Sequence, residues 1–408
     1  TRTPFYAIFL DWQMAFDRID HTALIQSLRR LGLPKSYLDA ISSLYDGPTF
    51  IVKNGTAPAA TGRCQAGIRQ GCPLSPYLFV LVMTAIMHDV DEQIDSDHTA
   101  KNTWSTINTC YDLEYADDTL SMARTPSQLQ SFFSAVESVA RKYGLVLNEK
   151  KTVLMRMFTS DQTAITFTSG KPVQVVSNTK YLGAHIVDSG KPAPNMGTRL
   201  GHASNEFNKL RNVWNSSLTT KLKLNIFHAI FVPMVLYSLP QSTITPTSEK
   251  KLDAWYMRHL RRVLRIKASF YSRIPHSVAL ERAGSPPLLS SRLHSQQLKF
   301  FGQVVVADKT SPVFHVCLGS ALQDKVSLEP YRRGRPRQYW FGNVSNMAYK
   351  IANEIPHNET YPKPIISDRI LTKTRKRFGK EVIPLRNIIK KDDGFWRRIC
   401  EAPTRTRK

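Results

Sequence analysis

Asp117 and Asp118 stand side by side in a stretch that otherwise reads as strand, with Leu113 and Tyr115 before them and Leu120 and Met122 after. On a plain strand, neighbouring side chains point to opposite faces. A tight hairpin turn can instead bring both carboxylates to one end of a sheet. Two anions held together cost a great deal unless a cation joins them. An all-oxygen donor set suits Mg²⁺ or Mn²⁺. The plain alternative is a solvated Asp-Asp turn, and only the rest of the chain decides between the two.

Other residues of the right type lie on both sides. The apolar run Phe5–Leu10 reads as a buried strand that ends at Asp11, and a strand end is a common place for a metal ligand. Phe16 lies on the turn leaving that strand and could equally be ordinary core. Asp17 and Asp20 read as surface or capping acids, with Asp20 placed to start a helix that stops at Gly32 and Pro34. The stretch Gly67-Ile68-Arg69-Gln70-Gly71-Cys72-Pro73-Leu74-Ser75-Pro76 is a glycine-bearing loop that feeds a helix through two prolines. Glycines let a backbone approach a flat or charged ligand closely. Alone, such a loop does no more than start a helix. Asn148–Thr152 forms a lysine-bearing turn, and Tyr181-Leu182-Gly183 a hairpin turn.

The elements that must position these residues follow from periodicity. Helices are expected over 35–45, from Pro73 to about Val90, and over 126–143, where Leu129, Phe132, Phe133, Val136 and Val139 recur at helical spacing. Strands are expected over 49–54, 61–65, 107–115, 120–123, 153–158, 165–168 and 180–187. After Gly190 the texture becomes helical, with helices over 195–217, 220–239, 249–267 and 288–307. The third is basic and amphipathic, carrying Arg258, Arg261 and Arg262. Arg333, Arg335 and Arg337 lie among Tyr331, Tyr339 and Trp340, a mixture that can grip phosphates and stack on bases. A basic run is as often a solvated face.

The charge is divided unevenly. Residues 1–190 hold 17 Lys and Arg against 18 Asp and Glu, whereas residues 191–408 hold 39 against 14. Chemistry in the first part and polyanion binding in the second is the simplest reading. The five cysteines show no paired spacing, which argues against a disulfide framework or a zinc finger and fits a reducing setting. Tyr77–Met87 is too short to span a bilayer, and Ile226–Leu239 contains His228 and Pro233, so no membrane partner is expected. The chain opens on a strand without an initiator Met, and a fragment of a longer protein is expected.

The order of these pieces is more specific than any one of them. A strand-end acid, a Gln-Gly loop entering a helix, a double-aspartate hairpin, a lysine turn and a Tyr-Leu-Gly hairpin follow one another. This resembles the palm of reverse transcriptases, in particular those of non-LTR (LINE-like) retrotransposons, over residues 5–190. The resemblance continues loosely through Arg333-Gly334-Arg335-Pro336-Arg337 with Trp340. It implies an α+β palm, an antiparallel sheet backed by helices, over 1–190. A helical thumb over 191–270 and a basic, mostly helical extension over 271–408 would follow. It implies RNA-directed DNA polymerase activity by two-metal nucleotidyl transfer, with two Mg²⁺ ions or Mn²⁺ in their place. Asp11, Asp117 and Asp118 would hold the metals and Lys151 would protonate pyrophosphate. Phe16 would crowd a ribose 2′-hydroxyl, and Arg69, Gln70, Gly71 and Tyr115 would meet the nucleotide. Tyr181, Leu182 and Gly183 would hold the primer end, and the six arginines of the basic part would bind nucleic acid.

The partners implied are an RNA template, a DNA primer, target DNA and dNTPs, and the sequence points to no protein partner. Nuclear location follows from that role alone. The fingers expected upstream of such a palm are missing from this chain, and neither zinc-knuckle cysteines nor a second acidic cluster marks an endonuclease after Gly190. Two other readings stand beside this one: an inactive nucleic-acid-binding remnant of such an element, and a group II intron-type maturase.

Overall fold

The computed structural model describes residues 4–52, 60–96, 112–189, 195–308, 311, 313, 340–354, 389–390 and 393–404. The chain divides into two compact units, Thr1–Lys191 and Pro192–Lys408.

The first unit is built on β1 (Phe5–Leu10), the middle strand of a five-stranded sheet. Beside β1 lies β5 (Asp118–Ala123), and beside β5 the edge strand β4 (Asp112–Tyr115). On its other side lie β6 (Val153–Met157) and the short β7 (Gln174–Val175). All pairings are antiparallel except β6 with β7. β1 is almost continuously apolar because both its faces are covered. Tyr6, Ile8 and Leu10 join the larger core under the helices, while Ala7 and Phe9 pack with Leu120, Met155, Tyr181 and Ile186 on the opposite face. Each large side chain so buried contributes about 1.5–3 kcal/mol.

The helices of this unit are α1 (Ala15–Arg18), α2 (His21–Arg30), α3 (Lys35–Tyr45), α4 (Ser75–Ser96) and α5 (Pro126–Lys142). Asp20 caps α2 as expected, accepting a hydrogen bond from the Ala23 N–H at 2.8 Å. Thr125 does the same for α5, whose first residue is Pro126. The described residues of the unit also form two small antiparallel pairs: β2 (Thr49–Val52) with β3 (Ala60–Arg63), and β8 (Asn178–Tyr181) with β9 (Ala184–Val187). The strand expected over 165–168 is reduced to a single bridge between Thr166 and Pro172. The Gln130 side chain has taken the place of a strand partner. Its amide oxygen accepts from Thr166 N–H at 2.8 Å, and its amide nitrogen donates to Thr166 C=O at 2.9 Å. Residues 107–111 of the strand expected before the aspartates lie outside the described residues.

The described residues of the second unit form helices: α6 (Asn195–Lys209), α7 (Arg211–Asn215), α8 (Thr220–Leu236), α9 (Pro246–Val263), α10 (Ser269–Ser272), α11 (His276–Arg282), α12 (Leu289–Val306), α13 (Trp340–Glu354) and α14 (Asp393–Glu401). The single helix expected over 195–217 is broken at Leu210. Trp214 folds back so that its indole N–H donates to Phe207 C=O at 2.8 Å and its ring stacks on Phe207 at 4.6 Å. A straight helix could not make that contact. The core around Phe207, Phe227, Phe231 and Trp255 also takes in Ala279, Leu289 and Leu293. Packing therefore runs without a break through the boundary expected after residue 270. A further core joins the end of α12 to α13 and α14 through Phe301, Tyr349 and Phe395.

Candidate active site

Asp11 leaves the C-terminal end of β1, and its place is fixed by backbone bonds to the lysine turn. Its carbonyl accepts from Asn148 N–H at 2.7 Å, and its N–H donates to Thr152 Oγ1 at 3.3 Å. Lys151 Nζ lies 3.7 Å from Asp11 Oδ2. The seam extends along the chain in both directions. Gln13 N–H donates to Val146 C=O at 2.8 Å, and Asp20 N–H to Tyr143 C=O at 3.0 Å.

Asp117 and Asp118 arrive on the β4–β5 hairpin. Tyr115 pairs with Asp118, leaving Ala116 and Asp117 as the two-residue turn, with Ala116 in the left-handed region at φ 55°. On the other side of β5, Leu10 pairs with Thr119, so Asp118 falls beside Asp11. The expected gathering of three carboxylates at one sheet end is what the strand register delivers. Burial first, then the charges of Asp117 and Asp11, hold the Asp118 carboxyl above its ordinary range.

The glycine loop docks on the turn after Asp11. Ile68 N–H donates to Phe16 C=O at 2.6 Å and Gly67 N–H to Ile19 C=O at 2.8 Å. Gln70 Nε2 donates to Asp17 Oδ1 at 2.8 Å, which gives Asp17 a partner in the loop. Arg69 is exposed, and its guanidinium reaches back to Leu44 C=O at 2.9 Å. Gly71 is exposed at φ 86°. Phe16 stacks on Phe79 of α4, with ring centroids 4.5 Å apart. Tyr115 is 68% exposed beside the aspartate turn.

The β8–β9 hairpin turns at Leu182 and Gly183, both in the left-handed region. Tyr181 anchors it: its ring meets Phe9 edge-on at 5.7 Å, and its hydroxyl donates to Leu113 C=O at 3.0 Å. Burial, with the Asp118 and Glu114 charges, pushes that hydroxyl up to about 12. Tyr181 thus braces the strand leading to the aspartate turn. Sequence reasoning missed Thr152, Asn148 and Gly144 as positioning residues. The Asn148–Thr152 turn held the signal for the first two, and the φ of Gly144 (84°), where a Cβ would stand 2.5 Å from Arg18 C=O, explains the third.

In the basic unit, Arg258 and Arg262 are exposed on α9. The Arg262 guanidinium lies over the Phe207 ring at 4.7 Å and donates to Asn208 Oδ1 at 3.0 Å. Arg261 corrects the expectation: it is buried at 4% exposure, and its guanidinium is taken up by Lys267 C=O, Ser272 Oγ and Ile274 C=O. Helical spacing placed it on a basic face, but the chain folds back over that position. Arg333, Arg335 and Arg337 lie outside the described residues.

The carboxylate cluster fits a divalent cation. Asp11 Oδ2 is buried and accepts no hydrogen bond, and Asp118 is destabilised as an anion first by burial and then by the charges of Asp117 and Asp11. A cation would satisfy both at once. A strand-end aspartate beside a double-aspartate hairpin, on a sheet backed by helices, is the arrangement that the resemblance to a reverse transcriptase palm leads one to expect.

Residues 2–186 match the reverse transcriptase (RNA-dependent DNA polymerase) family. Residues 2–186 thus carry a reverse transcriptase domain, and the chain is similar over more of its length to polyproteins of non-LTR retrotransposons. Among its relatives is a retrovirus-related Pol polyprotein from the type-1 retrotransposable element R2 of Popillia japonica, 26% identical over 67% of this chain and 39% of that protein. The RNA-directed DNA polymerase from the mobile element jockey of Drosophila melanogaster is 25% identical over 74% of this chain and 32% of that protein. The corresponding polyprotein from type-2 element R2DM of the same fly is 25% identical over 64% of this chain and 24% of that protein. The chain therefore spans about a quarter to two-fifths of the length of these relatives. Telomerase from Candida albicans is a distant structural likeness, with 14% identity, a TM-score of 0.37 and coverage of 77% of this chain and 51% of that one. Likeness this remote carries no functional argument. Reverse transcriptases as a family use divalent metal ions and read RNA templates. Among the described residues, no helix is long and apolar enough to cross a membrane.

Proposed function

We propose that this chain extends a DNA primer on an RNA template, with Asp11, Asp117 and Asp118 holding two Mg²⁺ ions. The carboxylate cluster carries this reading: a buried Asp11 oxygen that accepts no hydrogen bond and has Lys151 Nζ 3.7 Å away, next to an Asp118 carboxyl lifted by burial and then by two neighbouring charges. When bound, the metals supply charge neutralisation to the triphosphate and acidify the primer 3′-hydroxyl. The protein's own part is alignment. The seam from Asn148 to Thr152 fixes Asp11, and the β5 register fixes Asp118 against it. Lys151, half-free of Asp11 at 3.7 Å and 69% exposed, is placed to give a proton to departing pyrophosphate. Phe16, braced by Phe79, limits room at the sugar and favours dNTPs. Gln70, held by Asp17, and Gly71 present the loop to the incoming nucleotide, with Arg69 and Tyr115 at its edge. The Leu182-Gly183 turn, anchored by Tyr181, supports the primer end.

The first unit is read as the palm. The helical unit is read as thumb and basic extension, the thumb running to about Leu293 with its core. It would grip the template–primer backbone, with affinity falling steeply in salt. The role places the protein in the nucleus, acting on target DNA. The test is primer extension on an RNA template with Mg²⁺, comparing the chain with its Asp117→Asn variant. The variant should lose at least roughly a hundredfold in rate while keeping its affinity for template–primer. Equal extension by both would overturn the assignment, and no extension by either would favour an inactive binding remnant.

A further inference from the structure

The segment after α9, which includes the single-turn helix α10, carries a feature that the polymerase reading does not use. Phe270 and Tyr271 are 72% and 75% exposed, the most exposed large apolar side chains among the described residues. Burial normally claims such rings, and here the fold holds them out in solvent. Their rings meet edge-on at 5.3 Å, and the Arg273 guanidinium lies over the Phe270 ring at 5.4 Å.

The loop is not loose. Arg261, buried beneath it, ties its two ends together. Its Nε and one terminal nitrogen donate to Lys267 C=O at 3.1 and 2.7 Å. The same terminal nitrogen donates to Ser272 Oγ at 2.6 Å, and the other donates to Ile274 C=O at 3.0 Å. Within this clamp, the Tyr271 and Ser272 N–H groups both donate to Ala268 C=O at 3.0 Å, and Arg273 closes the turn at φ 54°. A buried guanidinium with its hydrogen bonds satisfied is a costly device for an idle loop. It fixes the backbone from which the two rings project.

The surroundings select the occupant. Residues 258–280 contain six Lys and Arg and no Asp or Glu. Rigid aromatic rings beside planar and point cations match an unpaired base and its phosphate, because every base has a face to stack and every linkage a negative charge. A base inside a duplex is stacked on both faces, so the interior of a duplex cannot use the rings. We propose that Phe270 and Tyr271 form a stacking platform for an unpaired base of single-stranded RNA, with Lys267 and Arg273 on its phosphates. The choice of RNA rests on the polymerase reading, in which the unpaired strand is the template not yet copied. Arg261 is a positioning residue for this platform.

The experiment measures binding of the full chain to labelled oligo(U), oligo(dT) and a long RNA–DNA duplex, whose ends are a small share of its sites, by fluorescence anisotropy over a range of salt. The Phe270→Ala/Tyr271→Ala variant should lose roughly 5- to 150-fold in affinity for oligo(U), the worth of one stacked base. Its duplex affinity and its salt slope should stay unchanged. Phe270→Trp/Tyr271→Trp should restore binding, whereas Lys267→Ala should lower the salt slope by about one ion. Unchanged oligo(U) affinity, or an equal loss on duplex, would overturn the platform. A loss confined to oligo(dT) would overturn the choice of RNA. These outcomes are separate from primer extension: a chain that extends primers but ignores the double substitution loses the platform alone. A chain that shows the oligo(U) pattern without extension keeps the platform and loses the polymerase reading.

Discussion

Gly67→Ala tests how the glycine loop is held against the acidic turn. At φ +91°, Gly67 sits where an L-residue is strained, and a Cβ there would stand 2.7 Å from both Cα and the carbonyl oxygen of Asp17. Those atoms are backbone and cannot rotate away. Alanine must therefore lift the loop from the turn, weakening the bonds from Gly67 N–H to Ile19 and from Ile68 N–H to Phe16. Gly71 is the matched control: its φ is +86°, but nothing lies within 4 Å of its would-be Cβ. Both substitutions incur the left-handed penalty of about 1–2 kcal/mol. Only Gly67→Ala should add the two damaged hydrogen bonds, an excess of about 2 kcal/mol. For a unit of this size the excess corresponds to a melting temperature about 4–8 °C below that of Gly71→Ala. Calorimetry of the full chain, following the transition of the first unit, gives the comparison. Hydrogen exchange at the Ile68 amide should accelerate in Gly67→Ala alone. Equal losses in the two variants would refute the claim that close backbone approach is what requires glycine at 67.

Two carboxylates should respond to neutralisation with opposite signs. The Arg30 guanidinium, with help from the Tyr143 hydroxyl, holds Asp89 below the ordinary carboxylate range, so its contribution is full above about pH 4 and fades as pH falls through the lower folded value. Asp89→Asn should lower the melting temperature at pH 7 by up to about 3 °C, and the gap should close in acid; a gap that persists at pH 3 would contradict the ion pair. Asp118 is held above its range, so its charged form opposes folding and the penalty grows as pH rises through the carboxylate range. Asp118→Asn should therefore raise the melting temperature of the metal-free chain at pH 7, measured in chelator, while reducing extension. A fall in melting temperature would mean that the three aspartates do not repel one another.

Much of the palm is legible because its signals are local. Phe5–Leu10 is continuously apolar because both its faces are covered, and its shortness and its aromatic and β-branched content are what make it read as strand and not helix. Asp20 and Thr125 precede their helices with side chains that accept from the first turn, and both do so. The aspartate hairpin needs only a two-residue turn between strand-forming segments, and register then carries Asp118 to Asp11. What stays hidden is made by groups far apart in sequence. Gln130 replaces a strand partner 36 residues away, and Trp214 breaks a helix that Lys209-Leu210-Arg211 would by themselves continue.

Arg261 and Arg262 show where helical periodicity runs out of information. They are neighbours in a basic stretch, and spacing alone assigns both to a charged face. One is exposed against Phe207 and Asn208, and the other is buried under a loop that follows it in the chain. The difference comes from where residues 267–274 return, which composition does not encode. That return is also what lifts Phe270 and Tyr271 into solvent, so a misplaced arginine and an overlooked aromatic pair have one cause. In the palm, the acids sit on strand ends and need only the sheet to be aligned. In the basic unit, alignment comes from a single buried side chain, and its function shows only once its hydrogen-bond partners are known.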